Sequence, residues 1–321
     1  MDLHYPVDPA LRTEWILGRR PQRNSLDPNR PYAFFVEQEH SASGEIVPVA
    51  TIFLTNRECP WRCAMCDLWK NTLAESLEPG MIPRQIQFAL DRLPPARQIK
   101  LYNSGSFFDE QAIPRVDDAA IAALVRSFDR VIVESHPALV RERCFAFGAS
   151  LDRPLEVAMG LETAHPEVLE KLNKRMTLEQ FAQSAHALRN HAIDLRVFVL
   201  VQPPFIHPSE SLAWAQRSVD FAFQSEATAV SLIPTRGGNG AMETFARSGE
   251  FTQPALATLE AAVHYGLNQH RGRVFADLWD LLQTTARCAS CWPARIERLH
   301  QMNLSQRISE PVECTTCGGL S

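Results

Sequence analysis

No long apolar run interrupts these 321 residues. The longest strand-like apolar stretches, such as 197–201, fall far short of the roughly 20 residues that cross a hydrocarbon core. No membrane-spanning segment and no membrane partner is expected. Residues Met1 to Pro6 lack the charged and then apolar pattern of a secretory leader, so a cytoplasmic location is expected. Positive charge is in deficit: 32 Lys and Arg stand against 37 Asp and Glu, a net charge of −5. That balance argues against broad affinity for nucleic acid and leaves room only for a local basic patch. Eight cysteines in a chain this long are too few for the dense disulfide framework of a small secreted domain. What is present is a 45% hydrophobic composition, sufficient for one large core with a small appendage.

Seven of those cysteines fall in tight spacings of metal type, which suits a reducing compartment. The first group, Cys59-x3-Cys63-x2-Cys66, follows the apolar run 51–56. Three thiolates on one loop can hold three corners of a 4Fe–4S cluster and leave the fourth iron without a protein ligand. Electron-transfer clusters close every corner with cysteine, so an open iron marks chemistry at the metal. A three-cysteine zinc site would need a fourth His or Cys nearby, and none lies between Asn56 and Asn71. Near the other end, Cys288-x2-Cys291 and Cys314-x2-Cys317 flank residues 292–313. This pairing reads as a zinc ribbon, with Gly318 and Gly319 suited to a knuckle turn, and the same thiolates could hold a second iron–sulfur cluster. The short enclosed segment favours closed, structural zinc. Cys144, alone in its surroundings, reads as a buried helix residue.

Residues 1–47 form an extension with little periodicity, in which Arg19, Arg20, Arg23 and Arg30 surround Asp27 and read as a solvated face. Beyond it, strand-like runs at 50–55, 98–103, 130–135, 155–161, 195–202 and 228–234 alternate with helical stretches near 83–92, 117–128, 137–147, 177–190 and 209–223. Thr177 with Gln180 is a capping-box start. Strict alternation of this kind predicts an α/β fold: a partial (βα)6 barrel over 48–270, followed by a small cysteine-bearing metal module over 285–321. The working face of such folds lies at the C-terminal ends of the strands. Several polar residues fall at those ends. Ser104, Gly105 and Ser106 form a turn in which glycine lets a ligand approach the backbone. Glu134 and His136 stand at the end of the third run and Glu162 at the end of the fourth. Trp61 and Trp69 flank the cysteine loop and read equally as a shield or as core. The loop 236–243 (RGGNGAME) lacks a Walker lysine and reads as a flexible lid rather than a phosphate cradle. Asn239, and Asp277 in the segment 273–280, are candidate substrate contacts.

The cysteine spacing resembles the signature of the radical S-adenosylmethionine superfamily. The segments 62–67 (RCAMCD), 100–109 (KLYNSGSFFD), 133–137 (VESHP), 155–163 (LEVAMGLET), 172–174 (LNK) and 202–205 (QPPF) resemble, more narrowly, the radical subunit of archaeosine synthases, relatives of the Elongator and methylthiotransferase branch. Met65 departs from the aromatic residue often found before the last cysteine.

The resemblance implies a 4Fe–4S cluster on Cys59, Cys63 and Cys66 that cleaves S-adenosylmethionine to a 5′-deoxyadenosyl radical. It implies a reducing partner such as flavodoxin or ferredoxin, and lyase chemistry on a modified tRNA base. By position, Ser104, Gly105, Ser106 and Glu162 would face S-adenosylmethionine, Glu162 at the ribose. Arg196, with Arg175 as the second candidate, would meet the methionine carboxylate or one of the barrel acids. Glu134, His136 and Asp277 would act on substrate. Arg287, Arg295, Arg298 and Arg307, beside the knuckles, could meet tRNA phosphates. A small metabolite or peptide is the alternative substrate. A non-catalytic metal-knuckle protein binding RNA or a protein partner is the alternative class.

Overall fold

The computed structural model describes residues 4–279, 281 and 288–317. Eight strands form one sheet in sequence order: β1 (Ala33–His40), β2 (Ile46–Phe53), β3 (Gln98–Tyr102), β4 (Arg130–Ser135), β5 (Leu155–Glu162), β6 (Asp194–Val201), β7 (Ala229–Pro234) and β8 (Arg273–Ala276). From β2 to β8 every pairing is parallel, whereas β1 runs antiparallel to β2. The helices are α1 (Pro9–Leu17), α2 (Met81–Leu90), α3 (Asp118–Val125), α4 (Glu142–Ser150), α5 (Pro166–Lys171), α6 (Leu178–Asn190), α7 (Ser211–Gln224), α8 (Ala241–Arg247), α9 (Leu256–Asn268) and α10 (Trp292–Ser305). The result is a partial α/β barrel. The six expected strands are all present, with β1 and β8 added. Among the described residues, no helix is long and apolar enough to cross a membrane.

Alternation along each strand divides the sheet into two faces. One set, including Ile99, Leu101, Val131, Val133, Val157, Met159, Val197 and Val199, packs in the main core. The opposite set is polar and aromatic. Near the N-terminal ends it carries a buried ionic network: Glu156 meets Arg130, Arg196 and Arg273, while Glu39 meets Arg196 and Lys100. Thus β1, inside the segment expected as an extension, supplies a buried counter-ion.

The cysteine-bearing C-terminal segment is joined to the barrel by α10. Trp292, Leu299 and Met302 belong to the main core. The side chains of Asn303 and Gln306 pair with the backbone of Ala276 and Val274, at 2.7–2.9 Å, along the edge of β8. His40 on β1 reaches the Leu304 carbonyl at 2.9 Å. The helix therefore bridges the first and last strands, covering an edge that would otherwise present unpaired backbone groups.

Candidate active site

The cysteine loop leaves β2 on the face formed by the C-terminal ends of the parallel strands. Cys59, Cys63 and Cys66 are half-buried. Burial pushes each thiol up to about 12, and each is raised further by charge on another of the three. The three half-buried cysteines thus face a common electrostatic environment.

Distant backbone and amide groups hold the loop. The Ala64 amide donates to the Leu172 carbonyl at 2.9 Å, and Asn173 donates to the Arg62 carbonyl at 2.8 Å. Asn239 donates to the carbonyls of Ala64 and Cys66, at 2.8 and 3.1 Å, and accepts from the Met242 amide. Its loop is fastened as well, because Glu243 accepts from the amides of Gly238 and Gly240. The proposed lid is therefore a brace, and Asn239 a staple rather than a free substrate contact. On the outer side, buried Glu58 binds Arg20 at 2.6 Å, Arg62 at 3.1 Å, and Arg23. Two arginines expected on a solvated face thus lock the N-terminal segment onto the loop, and Arg20 lies 4.5 Å from the centre of the buried Trp69 ring. Arg175 donates to the Pro9 carbonyl, another tie to that segment.

The turn after β3 forms the neighbouring wall. A Cβ on Gly105 would lie 3.1 Å from the Cβ of Cys59, so only glycine fits this approach comfortably. Glu134 holds the turn by accepting from the amides of Asn103, at 2.5 Å, and Gly105, at 3.3 Å. Burial raises Glu134 to about 7, against the lowering effect of those amides. Ser104 bonds the Tyr32 hydroxyl at 2.9 Å, and Ser106 bonds Ser135 at 3.0 Å. Asn103 is fully buried, and both polar atoms of its side chain are without partners among the described residues.

His136 is wedged beneath. Its ring stacks on Trp61 at 3.7 Å, its Nδ1 accepts from the Ala138 amide, and its Nε2 donates to the Lys174 carbonyl at 3.0 Å. Burial and then the Lys174 charge lower it to about 3, so it stays neutral. Both ring nitrogens are engaged.

Glu162, at the bulged end of β5, has a left-handed φ of 67° and pairs with Lys174 at 2.5 Å. Gly160 makes room for them: a Cβ there would lie 2.1 Å from the Glu162 carboxylate and 2.4 Å from the Lys174 Nζ.

The remaining expected residues lie elsewhere or have other tasks. Arg196 is not at the mouth; Glu39 and Glu156 bind its guanidinium, both at 2.6 Å, in the ionic network below. Asp277 does follow β8 at the correct end, where its carboxylate accepts from the Trp279 amide at 2.9 Å. Arg295 and Arg298 turn inward to Glu260. Arg307 is exposed. Arg287, Gly318 and Gly319 lie outside the described residues.

Lys174, Asn103, Asn173 and Glu58 were not among the residues singled out from sequence. The 172–174 segment was the available signal for Lys174. A burial criterion alone would not have separated it from a structural lysine.

Cys288, Cys291, Cys314 and Cys317 do converge. Their sulfurs all lie within 4.8 Å of one another, with the pairs 288–314 and 291–317 each 3.8 Å apart. Among the described residues no other set of three or more metal-type donors is so close. This compact set can bind a single metal ion. The loop triad is a different arrangement, three half-buried cysteines beside a glycine-lined wall and an unsatisfied Asn103 side chain. Its donor set fits an iron–sulfur cluster with an adjoining polar ligand.

No family model matches the chain. It is 26% identical over 221 residues to archaeosine synthase subunit beta of Methanosarcina acetivorans, covering 64% of this chain and 63% of that protein. It therefore spans just under two thirds of that curated relative. An uncharacterized protein of Methanocaldococcus jannaschii is 24% identical over 251 residues, 73% of this chain and 69% of that one. Among solved structures, Streptococcus suis SuiB bound to precursor peptide SuiA matches with a TM-score of 0.51 at 12% identity, covering 69% of this chain and 47% of that chain. That match is a likeness of fold. The curated relatives uphold the resemblance to archaeosine synthase subunits.

Proposed function

We propose that this chain is a radical S-adenosylmethionine enzyme whose cluster is held by Cys59, Cys63 and Cys66. The observation that carries the reading is the contact between Gly105 and Cys59, which sets a glycine-containing turn directly against a cysteine of the triad at the C-terminal face of a parallel sheet. When bound, a 4Fe–4S cluster with one iron free of protein ligands would supply the electron for reductive cleavage of S-adenosylmethionine. The chain's own residues orient the cofactor. Glu134 fixes the turn from below by taking its backbone amides, leaving the Asn103 side-chain amide to meet the methionine end. Glu162 is positioned to accept from ribose hydroxyls. Burial, together with Arg20 and Glu58 closing the outer side, keeps water from the thiolates. An external donor of the flavodoxin or ferredoxin class is required to reduce the cluster. Adding S-adenosylmethionine to the reduced, reconstituted protein should alter its electron paramagnetic resonance spectrum; an unchanged spectrum would remove the cofactor from this site.

For substrate we favour a modified tRNA base, with lyase chemistry, supported by similarity to curated archaeosine synthase subunits. The inward turn of Arg295 and Arg298 favours the second reading, a small metabolite or peptide, because those side chains are not presented to phosphates. Nucleosides of tRNA from a deletion strain and its parent decide between them: a lost or accumulated base supports the first, and identical profiles support the second.

We further assign zinc to the four C-terminal cysteines. Tetrahedral Zn–S bonds of about 2.3 Å place sulfurs about 3.8 Å apart, the separation found in both pairs. A cubane cluster distributes its thiolates over four irons and holds them further apart. Metal analysis of reconstituted protein should give about four irons and one zinc per chain; close to eight irons without zinc would overturn the assignment.

A further inference from the structure

Lys174 is a buried cation placed by unusually specific local structure. Its neighbours Asn173 and Arg175 have left-handed φ values of 57° and 60°, which fix the backbone on either side. Leu172 and Asn173 are the residues that bond the cysteine loop, at Ala64 and Arg62. The Lys174 carbonyl takes the His136 Nε2, and that ring stacks on Trp61 of the same loop. Its ammonium reaches Glu162 across the space left by Gly160. The electrostatics agree with this placement. Burial works against the charge, and the Glu162 carboxylate opposes that effect and keeps Lys174 above its ordinary value. In a medium of low dielectric, such a charge acts strongly on its neighbours.

We propose that Lys174 is a positioning residue that sets the reduction potential of the cluster held by Cys59, Cys63 and Cys66, with Glu162 as its counterweight. The inference rests on the cluster reading above. The step concerned is a one-electron transfer: a low-potential donor protein loses one electron and the cluster gains it, with no bond formed or broken. The added negative charge is stabilised by the ammonium and opposed by the Glu162 carboxylate. Local charge is one of the recognised determinants of cluster potential.

The test is a redox titration of reconstituted wild type, K174M, K174R and E162Q, without S-adenosylmethionine, following the resonance signal of the reduced cluster. K174M should reduce the equilibrium constant for reduction at least tenfold, which is about 59 mV for one electron. E162Q should move the potential in the opposite direction, and K174R should return it close to wild type. A merely structural role would not produce opposite signs. Coincident potentials for wild type and K174M, or shifts of the same sign in K174M and E162Q, overturn the proposal. If K174M takes up little iron, E162Q decides: absence of an upward shift overturns it. Wild-type protein that builds no cluster overturns the functional reading and this inference with it, whereas a cluster of invariant potential overturns this inference alone.

Discussion

Glu134 uses its carboxylate on backbone amides, and its raised ionisation makes that use dependent on pH. Burial lifts it to about 7, well above the ordinary glutamate value of 4.5. Between those values the folded chain binds more protons than the unfolded one, so this group makes stability fall as pH rises through the window. The difference is on the order of 3 kcal/mol. E134Q keeps an acceptor for Asn103 and Gly105 but cannot ionise, and denaturant titrations from pH 4.5 to 8 should show a flatter profile for it. An unchanged profile would mean that Glu134 ionises freely. Asn239 lends itself to a second test. Asn239→Ala removes two donors to the cysteine loop and leaves the Met242 amide short of an acceptor, a loss of about 1–3 kcal/mol. Iron bound after reconstitution should fall while the helical circular dichroism persists; full iron occupancy would refute the staple. The cysteine triad was legible in sequence because its ligand spacing is local. The staple was not, because Asn239 and Ala64 lie 175 residues apart, and no local pattern links a side-chain amide to so distant a carbonyl.

At the scale of elements, two segments gained roles that composition concealed. The strand β1 carries Glu37, Glu39 and His40, which interrupt an apolar reading. Those acids are explained by Lys100 and Arg196, on strands that come later in the chain. By contrast, α6 was legible from its start: Thr177 accepts from the Gln180 amide at 3.2 Å, and the Gln180 side chain answers at 2.9 Å. The helix α10 links the cysteine knuckles to the core through Trp292, Leu299 and Met302. Removal of a metal held by the four cysteines should therefore loosen the knuckles without releasing the helix. In hydrogen exchange of the chelator-treated protein, amides near Cys288 and Cys314 should lose protection, and those near Leu299 should retain it. Loss at both places would show that metal, rather than packing, holds α10.

For the whole molecule, the barrel separates two kinds of charge. The site at the strand C-termini pairs Glu58 with three arginines and Glu162 with Lys174, whereas the opposite end buries a network centred on Glu156. Against burial, which raises it, Arg196, Arg273 and Arg130 draw Glu156 down to about 2. Its stabilising contribution is present above the ordinary value of 4.5 and is lost as pH falls toward 2. E156Q leaves three arginines short of a partner and should cost on the order of 3–5 kcal/mol, with a weaker dependence of stability on pH in that window. Equal acid unfolding of variant and wild type would show that the network is not coupled to folding. The sequence revealed the alternating order of the barrel but not this network, since its members lie on six strands and meet only after closure of the fold.

The proposed chemistry rests on the cysteine triad, and its reaction products provide the most direct measurement. Anaerobic protein reconstituted with iron and sulfide, then supplied with dithionite and S-adenosylmethionine, is assayed for 5′-deoxyadenosine and methionine beside C63A. The expected result is formation of both products by wild type and neither above background by C63A, with the barrel's circular dichroism unchanged. Equal product formation by C63A, or none by wild type carrying about four irons at the triad, would contradict the assignment.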